Sequence, residues 1–464
     1  MQKQLAVKLG LIGFIASLLM IPLGMISGKI TERASFLNEA KRSVSNSWTA
    51  SQNVMGALLV IPYEVHSEIT VTDSKTNERR QQLSKTLHHK FISPEKLRIN
   101  TDITNSVRHK GIYTVPVYTA NINVGGSINV QKLSNELKKI KASGDNVVIT
   151  TPYFSITLSD PRGINSIPVL QWQKQKLAFN PGSKLKENTN GLHANLPHIH
   201  KLTDNKKLTD LNFSYQIELR GMEQLSFVPV GIETKINAVS TWPHPQFIGS
   251  FLPTSSQITS EGYKADWKVT SFASNIIDKI ERCESGKCEA LFKGNIGIKH
   301  IETVDIYLQS ERTVKYGMLF IGLSFTTFFI FEILMKLPIH PIQYALVGFA
   351  NAIFYLLLIS LSENISFGVA YLVASVSCSG LLLFYLKPIL KETKYAYYFS
   401  TVLAILYGVL YIIISMEDLA LMMGSFLTFV ALAIVMFSTR KINWYEVGDE
   451  LTVKTKIIDQ NTQE

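Results

Sequence analysis

The chain is predicted to be a membrane protein with one N-terminal transmembrane helix, a large mainly antiparallel β (β-rich α+β) extracytoplasmic domain, and a C-terminal bundle of five transmembrane helices. Three observations predict it. Apolar residues make up 46% of the 464, but they are segregated into long runs at the two ends of the chain. The polar middle alternates apolar and polar residues with the period of two that marks half-buried strands. The short loops joining the C-terminal runs carry Lys and Arg on one side only.

The first run, Leu5 to Ile26, supplies the roughly 20 apolar residues that cross about 30 Å of hydrocarbon. Lys3 precedes it and Lys8 interrupts it. It is longer than the apolar region of a signal peptide, and no A-x-A-like site follows, so it reads as an uncleaved anchor. A helix-forming segment, TERASFLNEAKRS, continues it outward.

Much of the middle reads as strand. In LNFSYQIELR, residues Phe213, Tyr215, Ile217 and Leu219 face one way. In KLRINTDITN, Leu97, Ile99 and Ile103 do the same. ALLVIPYEV, GIYTVPVYTANINV, VVITTPYFSITL and WKVTSFA are further strand candidates. One helix interrupts them, with Val130, Leu133, Leu137 and Ile140 on one face. The polar, turn-rich stretch NPGSKLKENTNGLHANLPHIHKLTDNKK reads as a long loop.

Five further apolar runs follow: Val314–Met335, Ile342–Leu361, Phe367–Leu386, Phe399–Ser415 and Leu419–Phe437. Pro338 and Pro341 forbid a continuous helix between the first two. Lys3, Lys8, Lys336, Lys387, Lys391, Lys394, Arg440 and Lys441 share one side, whereas the loops at Glu363 and at Glu417–Asp418 hold no basic residue. The positive-inside rule then puts both termini in the cytoplasm and the β domain outside. The implied organisation is a 1–28 anchor, a 29–312 periplasmic domain, a 313–440 bundle and a 441–464 cytoplasmic tail.

The net charge is +10, and most of the excess lies in the middle. That sign fits anionic lipid or polyanionic envelope material nearby, although scattered solvated surface charge is the simpler reading. No dense basic stripe and no nucleic-acid fold signature accompanies it, so no nucleic-acid partner is expected. Cys283 and Cys288 bracket a tight turn, ESGK, and are candidates for a disulfide in an oxidising compartment. Cys378 reads as a small buried residue.

Signatures of catalysis are missing. The sequence holds no G-x-S-x-G elbow, H-E-x-x-H helix or phosphate loop. Ser93-Pro-Glu-Lys96 matches S-x-x-K without its usual companions and reads as a polar turn before a strand. His193, His198 and His200 could in principle bind a metal, but a flexible loop holds ligands poorly. No enzyme activity, metal or cofactor is therefore expected. Apart from Lys315 at the outer end of the first, Glu332 is the one charged residue inside the five C-terminal spans. Its spacing suits a local pair with Lys336. Asn351 sits near a span centre and suits a hydrogen bond between helices. Small-residue stripes at Ala370, Ala374 and Cys378, and at Gly348 and Ala352, favour close packing over a pore. Glu363, Glu417 and Asp418 could form an acidic docking rim. As polar turns they need no such role.

The strings TWPHPQFIGSFLP (241–253), GYKADW (262–267), SDPRGI (159–164) and LSFVPVG (225–231) resemble the CreD family of bacterial inner-membrane proteins. So do the long run from Tyr307 through the first two C-terminal spans and the terminal TRKINWYE. The likeness covers nearly the whole chain. Gly56-Ala57 stands where the family tends to have Gly-Pro, and Asn364 where it often has His. The resemblance implies a role in cell-envelope integrity with no established catalytic residue. Trp242, Pro243, His244 and Pro245 form a rigid corner that reads as packing, with His244 as a candidate contact. The leading expectation is a non-enzymatic inner-membrane protein whose outer domain binds or senses envelope proteins, lipids or glycans while the spans lie in the bilayer. A transporter or export component, and a membrane-anchored enzyme with an unrecognised site, are the alternatives.

Overall fold

The computed structural model describes residues 2–440 apart from 73–78, 143–145, 186–187, 198, 200–208, 302–305, 336–338, 391–392 and 416–419. Two units divide the chain: residues 1–38 with 304–464, and residues 39–303.

The first unit is helical. It starts with α1 (Gln2–Leu18) and the first part of α2 (Met20–Ser47). The ladder breaks at Leu19 because Pro22 has no N–H to offer one turn back. After the helices of the other unit come α7 (Ile306–Lys315), α8 (Gly317–Leu334), α9 (Pro341–Ser362), α10 (Phe367–Leu386), α11 (Thr393–Ser415) and α12 (Ala420–Thr439), numbered after α3–α6, which are given below. Among the described residues, six helical stretches, with α1 and α2 counted as one, are long and apolar enough to cross a membrane. His340 starts α9 with a capping box: its Nδ1 accepts the Ile342 N–H, and Gln343 Oε1 accepts the His340 N–H. Pro341 takes the first helical position, where its missing N–H costs nothing.

Aromatic rings fill the middle of this unit. Phe320 and Phe354 each lie 4.5 Å from the Tyr407 ring, centroid to centroid. Gly348 lets the N-terminal helix approach closely, since a Cβ there would strike Leu19 and Phe325. Ala370, Ala374 and Cys378 are buried, as close packing requires.

Residues 39–303 form two packed sheets. The first runs β14 (Pro245–Gly249), β17 (Ile296–His300), β12 (Gln224–Val228), β1 (Gln52–Thr72), β6 (Tyr153–Leu158), β10 (Gly191–Asn195) and β9 (Asn180–Pro181). β2 (Arg79–Ile92) and β5 (Val147–Ile149) also pair with β1. The second runs β15 (Ser255–Thr259), β16 (Gly262–Thr270), β13 (Glu233–Ser240), β3 (Lys96–Lys110), β4 (Tyr113–Asn129), β11 (Asp210–Met222), β7 (Val169–Trp172) and β8 (Gln175–Ala178). Most pairs are antiparallel, but β1–β12 and β3–β13 are parallel. A bulge between Met55 and Leu58 in β1 contains a cis Gly56–Ala57 peptide.

Alternation places Leu97, Ile99 and Ile103 of β3 and Phe213, Tyr215, Ile217 and Leu219 of β11 inside. Phe154 of β6 meets Phe213 at 4.6 Å and Trp172 at 5.8 Å, joining the two sheets. Each such buried ring contributes roughly 1.5–3 kcal/mol relative to exposure. Val130, Leu133, Leu137 and Ile140 of α3 (Val130–Ala142) close the same core. Three short helices, α4 (Ser271–Ser274), α5 (Ile276–Glu284) and α6 (Glu289–Lys293), precede β17.

One expectation fails here. The segment read as a long loop from Asn180 holds β9 and β10, and β10 is an inner strand of the first sheet. His193 is therefore buried, not a flexible ligand. Its Nδ1 lies 2.7 Å from the Gly182 carbonyl and its ring is edge-on to Tyr153.

Candidate functional site

Two places in the β unit and one set in the helical unit collect residues singled out by sequence, and a third place in the β unit was not anticipated. The first is the corner before β14. Trp242 donates through Nε1 to the Ile301 carbonyl at 3.0 Å and lies edge-on to His300. Phe247 packs edge-on to Tyr263 and Trp267. Pro243 and Pro245 are half-buried, while the His244 side chain is exposed. His300, missed by sequence reading, is the buried imidazole of this cluster. Its Nε2 lies 3.0 Å from the Tyr263 hydroxyl, and burial pushes its pKa down to about 4. The corner is a packing device built on rings.

The second is the docking of the end of α2, within the β unit. Arg162 donates to Asn46 O at 2.6 Å and to Ser45 O, occupying orphan carbonyls of the last helical turn. Asp160 holds Arg162 through Nε and Nη2 and also accepts the Ala50 N–H. Those hydrogen bonds, that from Arg162 first, keep the Asp160 carboxyl below its usual pKa. Gln52 bridges Asp160 O and Arg220 O. The Arg108 and Arg220 guanidinium groups each lie over the Trp48 ring, at 4.2 and 4.8 Å. Thus SDPRGI is a helix-end clamp, with Pro161 and Gly163 forming the tight turn that aims Arg162.

In the helical unit, Glu332 has partners distant in the sequence. One oxygen takes the Lys8 ammonium and the other accepts the Tyr344 hydroxyl at 2.8 Å, while Lys8 also reaches Ile339 O. Lys336 lies outside the described residues. Asn351 is fully buried, and its Oδ1 is 3.4 Å from the Tyr407 hydroxyl. Glu363 faces Arg33 at 3.5 Å and accepts from Tyr307. Glu417, Asp418, His198 and His200 lie outside the described residues. A groove of about 720 Å³ between α10 and α11 is lined by Tyr371, Ser375, Ser400 and Tyr407 among others, with no acidic or basic side chain. Cys283 and Cys288 are bonded to each other, and Cys378 is buried and free.

The third place is the outward face of the eight-stranded sheet. Register aligns Gln216, Asn123, Asn100, Asn237, Asp266 and Ser255 in one row across six strands. The next row holds Ser214, Gly125, Arg98, Lys235 and Lys268. On the other side, Asn121 stands between Glu218 and Asp102. Asn100, Asn121, Asn123 and Gln216 are exposed. Asn237 donates to Asp266 at 2.7 Å. A cleft of about 360 Å³ at one end includes Arg98, Asn100, Lys235, Asn237 and Asp266. One of about 370 Å³ at the other includes Asn121, Ser166, Ile167, Gln216 and Glu218. Asn123 bridges them in the row. Chemically, this face can donate and accept hydrogen bonds over a long span. It holds no nucleophile with a base, and the described residues contain no cluster of three His, Cys, Asp or Glu able to hold a metal. The sequence signal was available: Asn at outward positions of KLRINTDITN and TANINV, although strands generally disfavour Asn.

Residues 4–445 match the family model described as "Inner membrane protein CreD". The inner membrane protein CreD of Escherichia coli (strain K12) is 32% identical over 432 residues, covering 92% of this chain and 91% of that protein. Among solved structures, two M1 zinc metallopeptidase structures from Deinococcus radiodurans, one a mutant bound to a Tyr-Ser-Ala substrate, match 38% of this chain. They cover 39% and 38% of those chains, at 7% and 8% identity. Their TM-scores of 0.19 and 0.17 are too low to bear on fold or function.

Proposed function

The chain belongs to the CreD family of inner membrane proteins, and from that premise we propose that it is a non-enzymatic envelope protein whose periplasmic β domain binds envelope material. The observation that carries the reading is the outward sheet face, where a continuous row of amide side chains lies open between two clefts. The helical unit supplies the anchor. Glu332 pairs with Lys8 and Tyr344, and Asn351 Oδ1 lies within reach of the Tyr407 hydroxyl, as interhelical glue does. An ion-coupled transporter instead keeps ionisable groups available on a path through the membrane. The orientation rests on the one-sided Lys and Arg placement, and a disulfide in the β unit suits an oxidising compartment.

Crosslinking in intact cells tests the proposal. A photoreactive residue at Asn123, on the open face, is expected to capture a defined envelope component. The same residue at Phe384, an exposed position on α10, should capture bulk lipid. If both positions yield the same bulk lipid, the domain has no binding role.

A further inference from the structure

We propose that the open face of the eight-stranded sheet binds an extended N-acetylated glycan, laid across the strands along the row Gln216, Asn123, Asn100 and Asn237. This rests on the reading that the domain binds envelope material, and it narrows that material to one chemical class.

The case begins with residue choice. Solvent-facing strand positions are stabilised by β-branched side chains, and Asn is disfavoured there. Yet β3, β4 and β13 each put Asn at the same level of the sheet, with Gln216 beside them on β11. A second Asn in β4, Asn121, points the same way. Local propensity is thus overridden on one face and at one level, the pattern expected where a surface serves a ligand. Asn100, Asn123 and Gln216 make no side-chain hydrogen bond with the described residues, so their groups remain available.

Geometry selects the class. Each amide presents a carbonyl acceptor and an NH₂ donor in one plane. An N-acetyl group offers the complementary C=O and N–H, and ring hydroxyls can satisfy either. Neighbouring strands are about 4.8 Å apart, close to the advance of one ring in a β-1,4-linked chain. Successive rings can therefore meet successive strands; since each ring is flipped relative to the last, N-acetyl groups meet alternate strands and ring hydroxyls the strands between. Gly125 and Ser214, in the adjacent row, have little or no side chain to stand in the way. Arg98, exposed next to Asn100 and without an ion pair among the described residues, is placed for an acidic substituent. Lys235 and Lys268, by contrast, share Glu233.

Other occupants fit less well. A peptide adds to a sheet edge, where backbone groups are free; on this face the backbone groups are committed to the ladders. A lipid surface needs apolar side chains, and the amide row has none.

Calorimetric titration of the full-length protein in detergent with chitohexaose tests the assignment, with cellohexaose as the control lacking N-acetyl groups. Saturable chitohexaose binding is expected, with at least tenfold weaker cellohexaose binding. Asn100→Thr/Asn123→Thr, which replaces the amides with better strand formers, should weaken chitohexaose at least tenfold with an unchanged melting temperature. No saturable binding, equal affinity for the two sugars, or equal affinity of the variant would overturn the assignment. Co-sedimentation with isolated insoluble cell-wall material separates the two levels. If wild type and variant sediment equally, this face is not the glycan site but envelope binding stands. If neither sediments and neither binds sugar, both readings fail.

Discussion

Replacing Glu332 by Leu is expected to destabilise the helical unit by about 3 kcal/mol, near the lower end for breaking a buried ion pair from one side. Glu332 is 6% exposed, and both of its oxygens are used. Its removal leaves the Lys8 ammonium with only the Ile339 carbonyl among described partners and strands the Tyr344 hydroxyl. Lys8 keeps 17% of its side-chain exposure, so partial escape to water holds the cost at the lower end. The double variant Lys8→Met/Glu332→Leu should recover much of the loss, because two apolar side chains can replace a buried pair. Unfolding by denaturing detergent measures both. A single variant within about 0.5 kcal/mol of wild type would show that the pair does not hold α1 to α8.

Asp160→Ala is expected to cost the β unit about 2 kcal/mol, a typical loss of a cap and a charge-assisted hydrogen bond. The carboxylate caps the turn at Pro161, accepts the Ala50 N–H and aims Arg162 at the end of α2. Arg162 is half exposed, so water softens its loss of a partner. Limited proteolysis should show new cleavage near residues 45–52. The pH dependence has a definite sign. Asp160 has a depressed pKa in the folded state, so its stabilisation is present above the unfolded value of about 3.9 and is lost as pH falls through the lower folded value. Wild type and Asp160→Ala should therefore converge in stability at very acid pH. His300 acts in a different window. Its folded pKa of about 4 lies below the ordinary value, so the unfolded chain binds the extra proton and stability falls as pH drops from about 6.5 towards 4. Asp160→Ala should leave that part of the curve unchanged. Convergence of the two proteins already at pH 6 would contradict the role given to Asp160.

The parts of this fold that sequence made legible are those whose signal is local. Six apolar runs, the alternation of β3 and β11, and the single-faced helix α3 each announce themselves within a dozen or two residues. β10 did not, because GLHAN owes its burial to pairing with β6 and not to an apolar pattern of its own. Glu332 likewise has a sequence neighbour, Lys336, but its observed partner is 324 residues away. The amide row is a property of register: Gln216, Asn123, Asn100 and Asn237 become neighbours only when β11, β4, β3 and β13 pair. The SDPRGI string was conspicuous as a family likeness, and its clamp role became clear once Arg162 met Ser45 and Asn46.

Everything proposed for the β domain depends on which side of the membrane it occupies. Lys174, in the turn between β7 and β8, is exposed, and the native cysteines are either paired or buried. A Lys174→Cys variant can therefore be treated with a membrane-impermeant maleimide, before and after lysis of spheroplasts. Full labelling before lysis is the predicted result; labelling only after lysis would place the domain in the cytoplasm and contradict the account.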